Sequence, residues 1–366
     1  MADRKRDGTE KRRPSPGMLA LGISCLIIVL VYLAHGCDPL AFVIVGRKFD
    51  LNDPAGNVGY DGQFAYYIAR DPLGAPAHLD DPPYRYQRLL YPLLARLLAL
   101  GRPAWVPWTL LGINIVSVSL SAELLGRMLG RRGLDPYLAM LLPLWLGQIF
   151  ALRADLNEPL CYLLVIGALW YDEGRQDILS ALALAAGALT KETALLFLPA
   201  VVIVMAVRKE WMRALRYSFI TLLPYAALQI GLYVWLGGWG FVGKGAGFEW
   251  LPFYGLAVSG LPAARILLLV VFALPVAVLL VLAARQLLRT PQSVHAWALL
   301  INCLFIVFLT RVSAIDVLAV FRLATGVVIA GLLFCAAHRR RRLARALVAI
   351  WLPPSMIAAM IPGFLL

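Results

Sequence analysis

The strongest constraint on this chain is a series of long apolar runs. Crossing about 30 Å of hydrocarbon takes roughly 20 mostly apolar residues, and the sequence is 61% hydrophobic and only 15% charged. The pattern predicts an all-α polytopic membrane protein with about 11 transmembrane helices in a single membrane domain, residues 1–366. The predicted spans lie near 17–34, 104–126, 135–151, 157–171, 178–190, 192–207, 216–236, 262–284, 293–310, 314–337 and 344–362.

The positions of the basic residues predict the orientation. Of the 34 Lys and Arg residues, 21 fall in short segments on one side of the predicted spans, including the basic tail at 1–16 and the run at 339–345. An excess of Lys and Arg in short loops marks the cytoplasmic side, so the N-terminus is expected in the cytoplasm. The net charge of +13 then reflects topology and contact with anionic lipid, and no nucleic-acid partner is expected.

Two segments between spans are long enough to carry function, and both are predicted on the outer side. The first is residues 35–103, and the second, 237–261, is rich in Gly and aromatic residues and is typical of a flap. Within the first loop, residues 86–101 are too short to span and are interrupted by Arg88 and Arg96. They are predicted to form an amphipathic helix lying in the outer membrane interface.

The stretch GYDGQFAYYIARDP, residues 59–72, predicts a short helix in the first outer loop. Asp61 stands at its N-cap position and Pro72 follows its end, while Gln63, Tyr67 and Arg70 share one face. Two interpretations are open for Asp61, a helix cap or a reactive acid. The aromatics Phe64, Tyr66 and Tyr67 have a second interpretation too, as side chains resting on the bilayer surface.

Three further polar clusters are predicted at the same membrane level. The turn LRADLNEPL (152–160) presents Arg153, Asp155 and Glu158, and LTKETAL (189–195) presents Lys191 and Glu192. Near the tenth span lies Arg322, whose charge inside the bilayer needs a partner or a purpose. Caps and structural ion pairs are the alternative interpretation of all three. The i,i+4 pair Glu123 and Arg127 on the cytoplasmic side illustrates a pair without function.

An acid, several cations and aromatic side chains beside lipid suit a lipid-phosphate donor, whose phosphate Lys and Arg would hold. The same motifs carry a resemblance. The stretch 59–72, together with YRYQRLLYPLLA (84–95), RADLNEP and GALTKETALLFLPA (187–200), is similar to the GT-C superfamily of integral-membrane glycosyltransferases. The resemblance is nearest to a bacterial family that forms cell-surface glycopolymers. It covers most of the chain by topology, and its specific motifs lie in the first half.

The resemblance implies a GT-C-like fold and a transferase that uses a polyprenyl-phosphate sugar donor and a glycan or lipid-linked acceptor. It implies a bacterial inner membrane location, a site facing outward, and Asp61 as the catalytic base. The residues predicted to contact substrate are Tyr60, Gln63, Tyr67, Arg70, Arg85, Arg88, Arg153, Asp155, Glu158, Lys191, Glu192 and Arg322.

No cofactor is expected, although Asp155 and Glu158 leave a divalent metal open. On the predicted outer side the adjacent acids are Asp80 and Asp81, and the four histidines lack the spacing of a metal site. A transporter or flippase of lipid-linked sugars is the alternative function. It would share the spans and the cationic cavity, but the halves show no internal repeat of the kind that many transporters carry.

Overall fold

A computed structural model describes residues 13–243, 247–258 and 262–361, with only the backbone of 263 and 264. Every regular element in these ranges is helical. The helices are α1 Pro16–Ala34, α2 Leu40–Val43, α3 Arg47–Asp50, α4 Gly62–Arg70, α5 Pro82–Tyr86, α6 Leu90–Leu98, α7 Val106–Arg131, α8 Leu146–Arg153, α9 Glu158–Glu173, α10 Asp177–Thr190, α11 Leu198–Val207, α12 Trp211–Leu236, α13 Tyr254–Val258, α14 Pro262–Leu268, α15 Leu274–Arg289, α16 Val294–Val307, α17 Arg311–Ala314, α18 Val317–Leu323, α19 Thr325–Ala337 and α20 Arg341–Ala359. Short 3₁₀ segments are Ala75–His78, Pro103–Trp105, Pro136–Leu141, Glu192–Phe197 and Gly240–Val242, and Leu269–Ala273 is a π-helical turn.

The length and composition of the helices support the membrane character of the chain. Six helical segments in the described ranges are long and apolar enough to cross a bilayer. They are Pro16–Ala34, Pro103–Arg131, Trp211–Leu236, Arg265–Arg289, Val317–Ala337 and Arg341–Ala359. These six match six of the eleven predicted spans. The helices at Asp177–Thr190, Glu192–Val207 and Val294–Val307 are apolar but shorter, so the count of eleven is not confirmed.

The predicted span 135–151 is not one continuous helix. It consists of the 3₁₀ segment Pro136–Leu141 and then α8, with Pro143 between them. Proline lacks the N–H group that a helix interior needs and disfavours helical geometry at the residue before it. The segment is therefore divided near its middle, and α8 carries the site turn at its C-terminal end.

The segment predicted as the first outer loop, residues 35–103, shares an apolar core with α7, α9 and α12. Phe64, Tyr66 and Tyr67 on α4 are buried together with Tyr86 and Tyr91. The interpretation of Phe64, Tyr66 and Tyr67 as side chains on the bilayer surface is therefore wrong, because they pack against protein. The amphipathic helix expected over 86–101 is shorter, since α6 covers Leu90–Leu98 and packs on α4 and α7.

Charged groups collect at the two ends of α9. At its start, Glu158 contacts Lys191 and Arg322, and at its end Glu173 contacts Arg132 at 2.7 Å. A helix of 16 residues is about 24 Å long. The residues predicted on the outer and cytoplasmic sides thus lie at opposite ends of the bundle, and the side that each end faces stays a prediction.

Cysteine labelling at Arg102 and Arg127 tests the orientation, because Arg102 directly precedes the helix Pro103–Arg131, Arg127 lies near its C-terminal end, and both are exposed. We expect a membrane-impermeant maleimide to label Arg102→Cys in intact cells, and to label Arg127→Cys only after permeabilisation. The background chain would lack Cys25 and Cys37, which are exposed. Labelling of both positions from the same side would contradict the topology.

Candidate functional site

The start of α4 is held against the turn that follows α8. Gly62 lies so close to this turn that a Cβ atom there would come within 2.0 Å of the Ala154 carbonyl oxygen. Only glycine permits this approach of two backbones. The contact places Asp61, one residue earlier, beside the turn that carries Asp155 and Glu158.

Asp61 occupies the N-cap position of α4, but its side chain makes no capping hydrogen bond. Its carboxylate instead forms ion pairs with Arg85 at 3.0 Å and with Arg322 at 3.1 Å. The capping interpretation is therefore wrong at the level of the side chain. Burial acts to raise the pKa of Asp61, but Arg85 and Arg322 outweigh it and hold the pKa well below its usual range.

Arg322 forms hydrogen bonds with three side chains of the site. Its guanidinium donates to Glu158 Oε1 at 2.6 Å, to Tyr60 Oη at 3.0 Å and to Asp61 Oδ2 at 3.1 Å. The Tyr60 hydroxyl in turn donates to Asp316 at 2.6 Å. The charge that the sequence left without an obvious partner is thus compensated by residues from α9 and the first outer loop.

The backbone around Arg322 is fixed by α8. The indole N–H of Trp145 donates to the carbonyl oxygen of Phe321 at 2.7 Å. Gly147 also lies against this backbone, since a Cβ there would be 2.4 Å from the same oxygen. These contacts set the height at which the Arg322 side chain leaves α18.

Glu158 lies behind the cations and is fully buried. Its Oε1 accepts from Lys191 Nζ at 2.6 Å as well as from Arg322. Lys191 is itself only 3% exposed. Glu158 therefore orients two cations. It does not itself line either of the two cavities described below, of about 570 and 30 Å³.

The turns after α8 and α10 are tied directly to each other. Asn157 Nδ2 donates to the Thr190 carbonyl oxygen at 2.7 Å. Beside them, Arg88 binds Glu192 through two hydrogen bonds, at 2.6 and 2.9 Å, and donates to Tyr84 at 2.6 Å. Two polar turns and the segment after α5 thus form one charged cluster.

A cavity of about 570 Å³ opens over this cluster. One part of its wall is polar, with Asp61, Tyr84, Gln87, Arg88, Lys191, Glu192, Thr193 and Arg322. Another part is apolar, with Leu196, Ile301, Leu304, Phe305, Phe308, Leu309 and Leu323. Phe241, Gly247 and Phe248 of the predicted flap also line it, while residues 244–246 and 259–261 of that flap lie outside the described ranges. A single cavity thus joins a cationic wall to an apolar one.

The structure brings together Tyr60, Asp61, Arg85, Arg88, Glu158, Lys191, Glu192 and Arg322. Asp155 lies next to this cluster and borders a smaller cavity of about 30 Å³ that Asp61 and Arg322 also line. Its side chain is fully buried.

Four predicted contact residues lie elsewhere. Gln63 is buried and binds backbone atoms of Gly46 and Val58. Tyr67 donates to Asp50 and stacks on His78. Arg70 borders a separate open cavity of about 640 Å³ in the first outer loop. Arg153 donates to the Ala41 carbonyl oxygen. Gln63 and Tyr67 on this face of α4 therefore hold the loop together, and none of Gln63, Tyr67 and Arg70 lines the cavity of about 570 Å³.

The sequence prediction missed several members of the site. Tyr84 and Gln87 belong to the same YRYQR stretch as Arg85 and Arg88, and the i,i+4 spacing of Tyr84 and Arg88 was a usable signal. Asp80 is bound by Arg85 at 2.7 and 2.8 Å. The apolar wall on α16 carries no polar residue that could have pointed to it.

No group of three or more His, Cys, Asp or Glu side chains that could hold a metal ion occurs in the described ranges. Comparisons of the chain with protein-family models, with curated proteins and with solved structures find no match. The geometry of the cavity and its charges is therefore the basis on which function is inferred.

Proposed function

We propose that the protein is a membrane glycosyltransferase of GT-C type. It moves a sugar from a polyprenyl-phosphate donor to a glycan or lipid-linked acceptor of the cell envelope. The reaction takes place on the outer face of a bacterial inner membrane, with Asp61 as general base. The observation that carries the proposal is the cavity of about 570 Å³ with one cationic and one apolar wall.

The cavity combines a charged wall and an apolar wall, which suits a ligand with a phosphate group and an isoprenoid chain. Its lining residues include three cations, Arg88, Lys191 and Arg322, and two carboxylates, Asp61 and Glu192. Glu158 behind the wall balances the remaining positive charge, so a phosphodiester would bind by competing with Asp61 and Glu192 for the N–H groups of Arg322 and Arg88. Hydrogen bonds from Arg and Lys to phosphate are charge-assisted and stronger than neutral ones. The aliphatic and aromatic side chains of α16 would receive the first part of the isoprenoid chain.

Asp61 needs to be released before it can act as a base. With Arg85 and Arg322 bound, its carboxylate is a weak proton acceptor. A donor phosphate that binds Arg322 competes with Asp61 for the same N–H groups, so the carboxylate becomes more basic when substrate is present. Asp61 then accepts the proton of the acceptor hydroxyl while the hydroxyl oxygen bonds to the anomeric carbon of the sugar, the bond from that carbon to the phosphate oxygen breaks, and polyprenyl phosphate leaves with the electron pair.

The experiment that tests the proposal measures the fate of the donor. Purified protein would be incubated with a panel of polyprenyl-phosphate pentoses and hexoses and with lipid-linked or glycan acceptors. We expect sugar on the acceptor and an equal amount of free polyprenyl phosphate. Passage of intact donor across a vesicle membrane without release of polyprenyl phosphate would instead favour the transporter or flippase.

Replacement of Arg88 tests the donor-phosphate contact. Arg88 lines both cavities, and its partner Glu192 has a side chain that is one third exposed, so Arg88→Gln leaves no deeply buried charge unpaired. A charge-assisted contact contributes about 1.5–3 kcal/mol, so the apparent donor KM should rise roughly ten- to a hundredfold. The matched control is Arg47→Gln, an exposed arginine of the same loop. An unchanged donor KM for Arg88→Gln would contradict this contact.

A further inference from the structure

Asp155 is an acid at the site that the proposed reaction does not use. It is 0% exposed, and neither of its carboxylate oxygens has a hydrogen-bond partner in the described part of the chain. Its backbone has φ of +47°, a left-handed conformation that Asp and Asn tolerate better than most residues. The turn thus holds an unpartnered carboxyl group in a fixed place.

Asp155 is one of the residues that line the small cavity beside Asp61. A volume of about 30 Å³ has room for roughly one water-sized group, such as a single hydroxyl or phosphate oxygen. The charged and titratable groups around Asp155 are Asp61, Arg85, Arg88, Tyr91 and Arg322 from the cavity wall, Arg153 from its own turn, and Glu158 at the start of α9.

The cations of that wall are already engaged. Arg88 binds Glu192, Arg85 binds Asp61 and Asp80, and Arg322 binds Asp61 and Glu158. An ionised carboxylate without a donor is strongly disfavoured in a buried position. Burial raises the pKa of Asp155 well above its usual range, and the opposing effect of Arg153 does not cancel it. The uncharged acid carries an O–H group that can donate a hydrogen bond.

We propose that Asp155 is an uncharged carboxylic acid that donates a hydrogen bond to a phosphate or hydroxyl oxygen of the ligand bound beside Asp61. Two acids of one site then differ in protonation state because their surroundings differ. Asp61 is ionised between two arginines, and Asp155 keeps its proton. The contact with ligand rests on the proposed function, whereas the charge state of Asp155 does not.

Two substitutions separate the uncharged acid from a carboxylate. Asparagine is uncharged, retains a donor and suits the left-handed backbone, so Asp155→Asn should keep the transfer rate within about threefold. Asp155→Gly accepts the same backbone conformation but lacks the donor, so the rate should fall about tenfold or more. In the unmodified protein the rate should fall at alkaline pH as Asp155 loses its proton, and Asp155→Asn should lack this fall.

Each other outcome overturns the proposal. Asp155→Asn protein that is folded but as inactive as Asp61→Asn would show that an ionised carboxylate is needed at position 155. Full activity of Asp155→Gly would show that the side chain contacts no ligand.

A measurement without substrate tests the charge state alone. Between the unfolded pKa, about 3.9, and the higher folded pKa, the folded state binds more protons, so the free energy of unfolding falls as pH rises. Asp155→Asn removes this loss. Its Tm in detergent at pH 8 should exceed that of the unmodified protein by about 2 °C or more, with a smaller difference at pH 5.

The control for the Tm measurement is Asp53→Asn, an acid paired with exposed Arg47 in the same loop, for which no shift in Tm is expected. An equal or lower Tm of Asp155→Asn at pH 8 would overturn the uncharged state. This result would stand whatever reaction the protein catalyses, so it is distinguishable from failure of the proposed function.

Discussion

Asp61→Asn is expected to reduce glycosyl transfer by about 10²–10⁴-fold, the usual contribution of a general base. Asparagine has nearly the same shape but cannot accept the proton of the acceptor hydroxyl. The measurement is the initial rate of sugar transfer by purified protein. The matched control is Asp53→Asn, which changes an acid of the same loop away from the cavity and should leave the rate unchanged.

The stability of the Asp61→Asn protein decides between catalysis and structure. The Asp61 side chain is one third exposed, whereas its partners Arg85 and Arg322 are 11% and 6% exposed. The pairs are therefore partly buried, and because the asparagine amide oxygen still accepts hydrogen bonds, the free energy of unfolding should fall by about 1–3 kcal/mol. The side chain makes no cap, so no capping energy is lost. A folded Asp61→Asn protein with nearly full transfer would exclude Asp61 as the base.

The contribution of Asp61 to the free energy of unfolding should decrease as the pH is lowered. Its pKa is lower in the folded protein than in the unfolded chain, so its ion pairs stabilise the fold above about pH 4. This contribution is lost as pH falls through the folded pKa. The sign is opposite to the one expected for Asp155, although both acids border the same small cavity.

Much of the site could be predicted because polar residues in an apolar sequence are conspicuous. Charges near membrane depth are unfavourable unless they are paired or used, and this argument identified Arg322, whereas Asp61, Glu158 and Lys191 were identified from the polar stretches that contain them. Helix α4 was predicted over 62–70, between Asp61 at the N-cap and Pro72 beyond its end, and is observed over Gly62–Arg70. The turns at 152–160 and 189–195 also lie between helices as predicted.

The pairing of these charges could not be predicted, because it joins distant parts of the chain. Glu158 and Arg322 are 164 residues apart, and Asp61 and Arg322 are 261 apart. Local spacing carries no information about such contacts. For the same reason, Gln63 and Tyr67 were assigned to the substrate site from the polar face of α4, whereas tertiary packing placed that face against other loop residues.

The apolar wall of the cavity could not be predicted from the sequence either. Ile301, Leu304, Phe305 and Phe308 lie on or directly after α16, in a segment that the sequence predicts only as a membrane span. Apolar side chains that face lipid, a neighbouring helix or a cavity have the same composition. Only the three-dimensional packing distinguishes a lipid-binding wall from an ordinary helix contact.

Loss of the Glu158 charge is expected to have the largest effect on stability. Lys191 and Arg322 both donate to its Oε1 at 2.6 Å, and all three side chains are at most 6% exposed. Glu158→Gln keeps the size but leaves two buried cations without this counter-charge. Removing one partner of a buried ion pair costs about 3–5 kcal/mol, to be measured as the free energy of unfolding in mixed detergent micelles.

Two controls distinguish the effect of losing a buried charge from the effect of replacing any glutamate. Glu123→Gln removes an acid whose partner Arg127 is largely exposed, so a loss of about 1 kcal/mol or less is expected. The triple variant Glu158→Leu, Lys191→Met, Arg322→Met removes all three buried charges together. Because replacing a whole buried ion cluster by apolar residues is often neutral or stabilising, it should regain most of the stability.

The triple variant should nevertheless be inactive, since it lacks two of the cations that line the cavity. Stability without transfer would show that the cluster serves the bound phosphate and that the fold does not require it. A loss of less than about 1 kcal/mol in Glu158→Gln would contradict the buried pairing, because buried Lys191 would lose its carboxylate partner and Arg322 would keep only Asp61. Transfer at a normal rate by the triple variant would place the donor phosphate elsewhere in the protein.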